Sequence, residues 1–139
     1  MMKRPEPLPR AGRVKQTRRM GRRLQALNDE KGTITMAGQW IDIAAKDGGT
    51  FKGYLAVPAS GSGPGILLLQ EIFGVNKSMR DVADLYAEEG YVVLAPDLFW
   101  RMEPGVELGY TEADFGKAMG YYQRFDANQS IKDASDADD

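Results

Sequence analysis

From Trp40 onward the polar and apolar positions follow a pattern that can be read element by element. Trp40-Ile41-Asp42-Ile43-Ala44-Ala45 alternates in the period-two manner of a half-buried strand. Lys46-Asp47-Gly48-Gly49 is a turn, with Asp-Gly supplying the positive φ that a tight hairpin needs. Residues 50–57 read as the second strand, and the small, flexible stretch 59–64 leads out of it. The third strand is predicted over residues 65–70. Its uninterrupted apolar run, residues 66–69, stops abruptly at Gln70, Glu71 and a turn closed by Gly74. A run of this kind predicts a strand buried on both faces of a parallel sheet. The polar groups at its end would then lie on the carboxyl edge, where open α/β sheets bind ligands.

A helix should follow. Asn76 or Ser78 can cap it, Gly90 closes it, and Met79, Val82, Ala83 and Tyr86 share one apolar face. Residues 91–95 are a further apolar strand ending in Pro96 and Asp97, so the unit is β-α-β with a right-handed crossover expected. Past a looser loop, a second helix is predicted from Thr111 to about Asp126, with Phe115, Ala118, Met119 and Tyr122 on one face. Asp97 reads as a turn or cap residue, and Phe99 and Trp100 as packing residues. The acidic stretch 133–139 reads as a flexible tail, with neither the glycine nor the terminal glutamate of a calcium loop.

Charge changes the picture at the N-terminus. The net charge of -2 hides a division: residues 1–31 hold ten of the 18 Lys and Arg but three of the 20 Asp and Glu. The chain thus reads as a basic extension, residues 1–35, joined to an acidic domain, residues 36–139. Arg18-Arg19 and Arg22-Arg23 are followed by the polar Leu24-Gln25-Ala26-Leu27-Asn28-Asp29-Glu30, which argues against export and for the cytoplasm. No aromatic residue interleaves these charges, which disfavours a nucleic-acid partner that stacks on bases. The simplest expectation for residues 1–35 is a disordered extension or an over-extended start. No run approaches the length of a membrane span, so no membrane partner is expected. With no cysteine, disulfides and thiolate metal sites are excluded.

Gln70-Glu71-Ile72-Phe73-Gly74-Val75-Asn76 and Gly90-Tyr91-Val92-Val93-Leu94-Ala95-Pro96-Asp97-Leu98-Phe99, in this order and with a helix-sized spacer, resemble the N-terminal part of the dienelactone hydrolase family, a branch of the α/β hydrolases. The resemblance implies an α/β fold that begins with a β-hairpin, continues as β-α-β and then a helix, with the last strand placed between the second and third. It implies hydrolysis of an ester or lactone by a Cys-His-Asp triad, without metal or organic cofactor, on a small-molecule substrate. Glu71 resembles the carboxylate that contacts the nucleophile, and the backbone N–H of Ile72 resembles half of the oxyanion hole. Phe73 and Arg101 are candidate substrate contacts. Where the family carries a substrate-binding arginine, this chain offers Phe115 nearby, with Arg101 or Arg124 as possible substitutes, and that departure counts against a dienelactone substrate.

The chain contains no histidine and no cysteine, and no Gly-x-Ser-x-Gly elbow. The expectation is therefore a chain cut short before the nucleophile elbow and inactive by itself, with residues 66–69 left as an apolar edge. The competing readings are a non-catalytic interaction module of hydrolase fold and a nucleic-acid-associated protein that uses the basic extension. The oligomeric state is not legible.

Overall fold

A computed structural model describes residues 38–138 of the chain, and the extension assigned to residues 1–35 lies outside the described residues. Strands β1 (Gln39–Ala44), β2 (Thr50–Ala56), β3 (Gly65–Leu67) and β4 (Val92–Pro96) form one sheet in the order β1-β2-β4-β3. β1 and β2 are antiparallel, as are β2 and β4, whereas β3 runs parallel to β4. The turn between β1 and β2 uses the expected geometry: Gly48 and Gly49 take φ of 107° and 88°, and Ala45 exchanges backbone hydrogen bonds with Gly48 and Gly49. The last strand does lie between the second and third, as the resemblance implies.

Among the described residues three helices join the sheet: α1 (Lys77–Glu88), α2 (Glu112–Arg124) and α3 (Ala127–Asp138). Asn76 rather than Ser78 caps α1, its side chain accepting from the Met79 N–H at 3.1 Å. Thr111 caps α2 in the same manner through Asp114 N–H. Glu112 and Asp114 in the first turn of α2 and Arg124 in its last complement the helix dipole.

Apolar residues collect on both faces of the sheet. Ile41, Ile43, Phe51, Leu55, Val92 and Leu94 point to one face, where Ala137 of α3 joins them. Tyr54, Ala56, Val93 and Ala95 point to the other, under Ala83 and Ala87 of α1. β4 feeds both cores because successive side chains of a strand point to opposite faces. All five of its residues are buried.

Three expectations change. β3 is a strand over Gly65–Leu67 only, its pairing extended by one bond from Leu68 N–H to the Leu94 carbonyl. Its residues are half-buried and Leu69 is 53% exposed, so the strand buried on both faces is β4. β3 pairs with β4 on one side and lacks a second neighbour among the described residues. The buried residues of α1 are Ala83 and Ala87, with Met79 half-buried beside them, which leaves Val82 and Tyr86 largely outside. On α2 only Ala118 is buried, and Phe115 and Tyr122 face water.

The acidic stretch is also not a tail. It forms α3, whose inner face is Ser130, Asp133, Asp136 and Ala137. These positions have helical spacing, but polar side chains hide the stripe from a hydrophobic reading. The anchors are polar: Asp136 Oδ2 accepts from Lys46 N–H at 2.9 Å, and Asp133 holds the ion pair described below.

Leu94→Ala should lower unfolding stability by about 3 kcal/mol, whereas Leu69→Ala should stay within about 0.5 kcal/mol. Urea titration followed by circular dichroism separates the two, and similar losses would return residues 66–69 to the core.

Candidate active site

The stretch after β3 forms a tight turn at the carboxyl end of the parallel pair. Gly74 N–H donates to the Glu71 carbonyl at 3.3 Å, which folds residues 71–74 into one turn. Gln70 fixes its base, its Oε1 accepting from Leu98 N–H at 2.8 Å and its Nε2 donating to the Glu71 carbonyl at 3.2 Å. The ends of β3 and β4 are thereby tied together. Glu71 is exposed, and no side-chain hydrogen bond or ion pair holds its carboxylate among the described residues. The half-buried Ile72 likewise has an N–H that donates to no group among the described residues.

Residues 106–110 act as a template for this turn. Leu108 N–H donates to the Phe73 carbonyl at 2.9 Å, and Gly74 bridges Glu107. Gly74 has φ of 79°, and a Cβ there would lie 1.9 Å from the Val106 carbonyl oxygen, so no other residue fits without displacing the segment. Asn76, 5% exposed, donates through Nδ2 to the Leu108 carbonyl at 2.8 Å and to Tyr110 Oη at 3.3 Å. Arg80 completes the brace, donating to the Val75 carbonyl at 2.9 Å and pairing with Glu107.

The Phe73 ring meets Tyr110 edge-on at 4.8 Å and Phe115 at 6.5 Å. Glu71, Ile72 and Phe73 thus share one turn, but Arg101 stands elsewhere. Its Nε and Nη2 donate to the two oxygens of Asp133 at 2.9 and 2.8 Å, and Nη2 also reaches Asp47 at 2.7 Å. The guanidinium lies over Trp100, which itself stacks on Phe51 and donates from Nε1 to Asp133 at 3.0 Å. Arg101 therefore pins α3 to the sheet, and none of these hydrogen bonds goes to residues 71–74.

The buried carboxyls of Asp97 and Asp133 are shifted in opposite directions. Burial pushes the Asp97 carboxyl up, although Gly105 and Phe99 N–H groups, at 2.8 and 3.1 Å, act to lower it. These two bonds close the loop after β4, a turn role as expected from the sequence. Burial would raise the Asp133 carboxyl too, but hydrogen bonds from Arg101, Gln129 and Trp100 and the Arg101 charge outweigh it and hold it below the usual range.

Gln70, Asn76, Arg80 and Tyr110 were not singled out as site residues by the sequence, beyond a capping role for Asn76. The polar positions flanking Glu71-Ile72-Phe73-Gly74 were the available signal for two of them. Arg80 and Tyr110 carry no local signal, because their partners lie 27 and 34 residues away.

Sheet order, the crossover and the turn at the carboxyl end of β3 define the N-terminal part of an α/β-hydrolase fold. Residues 51–138 match the dienelactone hydrolase family model, and the chain belongs to that family. It is 43% identical over 91 residues to an Azospirillum brasilense protein assigned as a carboxymethylenebutenolidase, covering 64% of this chain and 39% of that protein. It is 39% identical over 99 residues to the carboxymethylenebutenolidase of Pseudomonas sp. strain P51, covering 70% and 42%. Among solved structures it resembles a Klebsiella pneumoniae protein assigned as a dienelactone hydrolase, with a TM-score of 0.55 and 26% identity over 72% of this chain and 42% of that one. The chain thus spans about two fifths of the length of the curated relatives it matches. No helix among the described residues is long and apolar enough to cross a membrane.

Gly74→Ala should cost about 3 kcal/mol, the sum of a left-handed backbone penalty and a backbone clash. Amide exchange at Leu108, whose N–H donates to the Phe73 carbonyl, should speed up in that variant, and unchanged exchange would show that residues 106–110 do not hold the turn. Asp133→Asn should cost about 2 kcal/mol at neutral pH, because Arg101 loses its buried counter-charge. The folded pKa of Asp133 is depressed, so its contribution is present above the unfolded value of about 4 and is lost as pH falls through the folded value. The stability gap between wild type and Asp133→Asn should therefore close below about pH 4. A gap constant from pH 7 to 2 in urea melts would remove the charge from the explanation.

Proposed function

We propose that residues 70–76 form the oxyanion-hole side of an active site that hydrolyses a carboxylic ester or lactone by nucleophilic acyl transfer. The nucleophile and base would come from residues that this sequence does not contain, since it has no histidine and no cysteine. The observation that carries the reading is the unspent N–H of Ile72, held in a braced turn at the carboxyl end of a parallel strand. Donors fixed before the reaction stabilise a developing oxyanion without reorganising at the moment of attack. As a nucleophile adds to the carbonyl carbon, the carbonyl oxygen gains charge and Ile72 N–H donates to it. Expulsion of the alkoxide then leaves an acyl group on the nucleophile, and water releases it.

Glu71 is the carboxylate beside the incoming nucleophile, with no side-chain partner among the described residues to hold it back. Phe73 lies on the substrate side of the turn. Arg101 would meet a substrate carboxylate by exchanging Asp47, its solvent-exposed partner, while keeping the buried Asp133. A small-molecule ester or lactone is the partner this reading supplies. We place the enzyme in the cytoplasm, on the support of the polar residues 24–30 that follow the paired arginines.

The absence of a histidine from the sequence favours a second reading, a non-catalytic module of the same fold that uses the turn for binding. The downstream reading frame separates the two. A Gly-x-Cys-x-Gly or Gly-x-Ser-x-Gly elbow followed by Asp and His supports the enzyme, and a stop codon supports the module.

The 139-residue chain should not turn over phenyl acetate above background. In a protein extended to include nucleophile and base, Ile72→Pro should lower kcat by about 10²-fold or more, while Ile72→Val, which keeps the N–H, changes it little. Glu71→Ala should lose more turnover than stability. Equal losses in both would make Glu71 a structural residue.

A further inference from the structure

We propose that Phe73, Tyr110 and Phe115 form an aromatic shelf that selects esters bearing a flat, apolar aryl group beside the reacting carbonyl. The inference rests on the hydrolase reading above and names the substrate class of that site. The shelf begins at the residue that follows Ile72, so it adjoins the N–H assigned to the oxyanion. Its rings come from three segments: the turn after β3, the template segment before α2, and the first half of α2 itself.

Core packing among the described residues does not account for these rings. Tyr110 is 61% and Phe115 51% exposed, and α2 buries Ala118 instead. The rings are nonetheless gathered around Phe73 at 4.8 and 6.5 Å, with interplanar angles of 66° and 43°. The cluster is held in place from below. Asn76 donates to both the Leu108 carbonyl and Tyr110 Oη, and Leu108 N–H donates to Phe73. Offset and edge-on contacts are the arrangements that aromatic rings favour, so a further ring can join the cluster without rearranging it. Tyr110 Oη accepts from Asn76 and has no acceptor for its own hydrogen among the described residues, which leaves one polar donor at the rim. Three rings and one hydroxyl, with no cation among them, fit an aryl ester and not a second carboxylate. Apolar walls with a few placed polar groups are the usual composition of a small-molecule site.

The 139-residue chain tests this directly by NMR titration with benzyl acetate and with propyl acetate. Benzyl acetate should shift the Ile72 amide and the ring signals of Phe73, Tyr110 and Phe115 in a saturable manner. Propyl acetate should bind at least about fivefold more weakly, as should benzyl acetate to Phe115→Ala, given the usual strength of one aromatic contact. Tyr122→Ala, an exposed ring on the same helix, should leave binding unchanged. Equal affinity for the two esters, or an unchanged affinity in Phe115→Ala, would overturn the shelf. Shifts at the three rings that grow with protein concentration without ester would overturn it in favour of a second copy of the chain. No turnover is read here, so loss of selectivity sinks the shelf and leaves the hydrolase reading to the Ile72 variants. Persistent aryl binding in an extended protein without turnover would instead sink the hydrolase reading.

Discussion

The burial of β4 on both faces is the constraint from which the rest of the structure follows. Val92 and Leu94 enter one core while Val93 and Ala95 enter the other, so a single strand joins the two layers. Its hydrogen bonds reach β2 on one side and β3 on the other. Helices α1 and α3 each need an apolar face to rest on, and β4 contributes to both. The carboxyl end of β3 is placed by its parallel pairing with β4, and Gln70 repeats that tie one step later through Leu98.

The candidate site depends on a second close approach, between Gly74 and the Val106 carbonyl. It turns an ordinary four-residue turn into one with a fixed position, because any side chain at Gly74 would push residues 106–110 away. Backbone bonds, Asn76 and Arg80 then work against the same segment from different directions. A donor that must wait for a developing charge is useful only when it is held so. The exposed aromatic rings next to it share this support, which links the positioning of Ile72 N–H to the wall proposed for the substrate.

Much of the fold was legible in local pattern. The hairpin followed from alternation and Asp47-Gly48, and the crossover from two apolar runs separated by an amphipathic helix. Membership of the dienelactone hydrolase family followed from two motifs in order. The candidates Glu71, Ile72 and Phe73 could be grouped from sequence, since consecutive residues in one turn stay together wherever that turn goes. The same reasoning failed for α3, which it took for a flexible acidic tail. A helix buried through Asp133 and Asp136 depends on partners about 32 and 90 residues away, Arg101 and Lys46, and a local reading cannot see those. The partners of Arg101, Asp133 and Asp47, are likewise 32 and 54 residues away and left no local trace.

By itself, the sequence determined where strands, turns and the first helices begin, because side-chain period and turn chemistry act over a few residues. It also determined that these residues hold neither the cysteine nor the histidine of a Cys-His-Asp triad, since that is a matter of composition. Only the tertiary structure decided that β4 and not β3 is the strand buried on both faces. Burial depends on how many neighbours a strand has, and β3 has β4 on one side and no second partner among the described residues. Tertiary contact also decided that Gly74 must be glycine, that Asn76 braces the turn and that Phe115 faces outward beside Phe73. Each of these rests on atoms brought together from distant parts of the chain, a distance that no local pattern records.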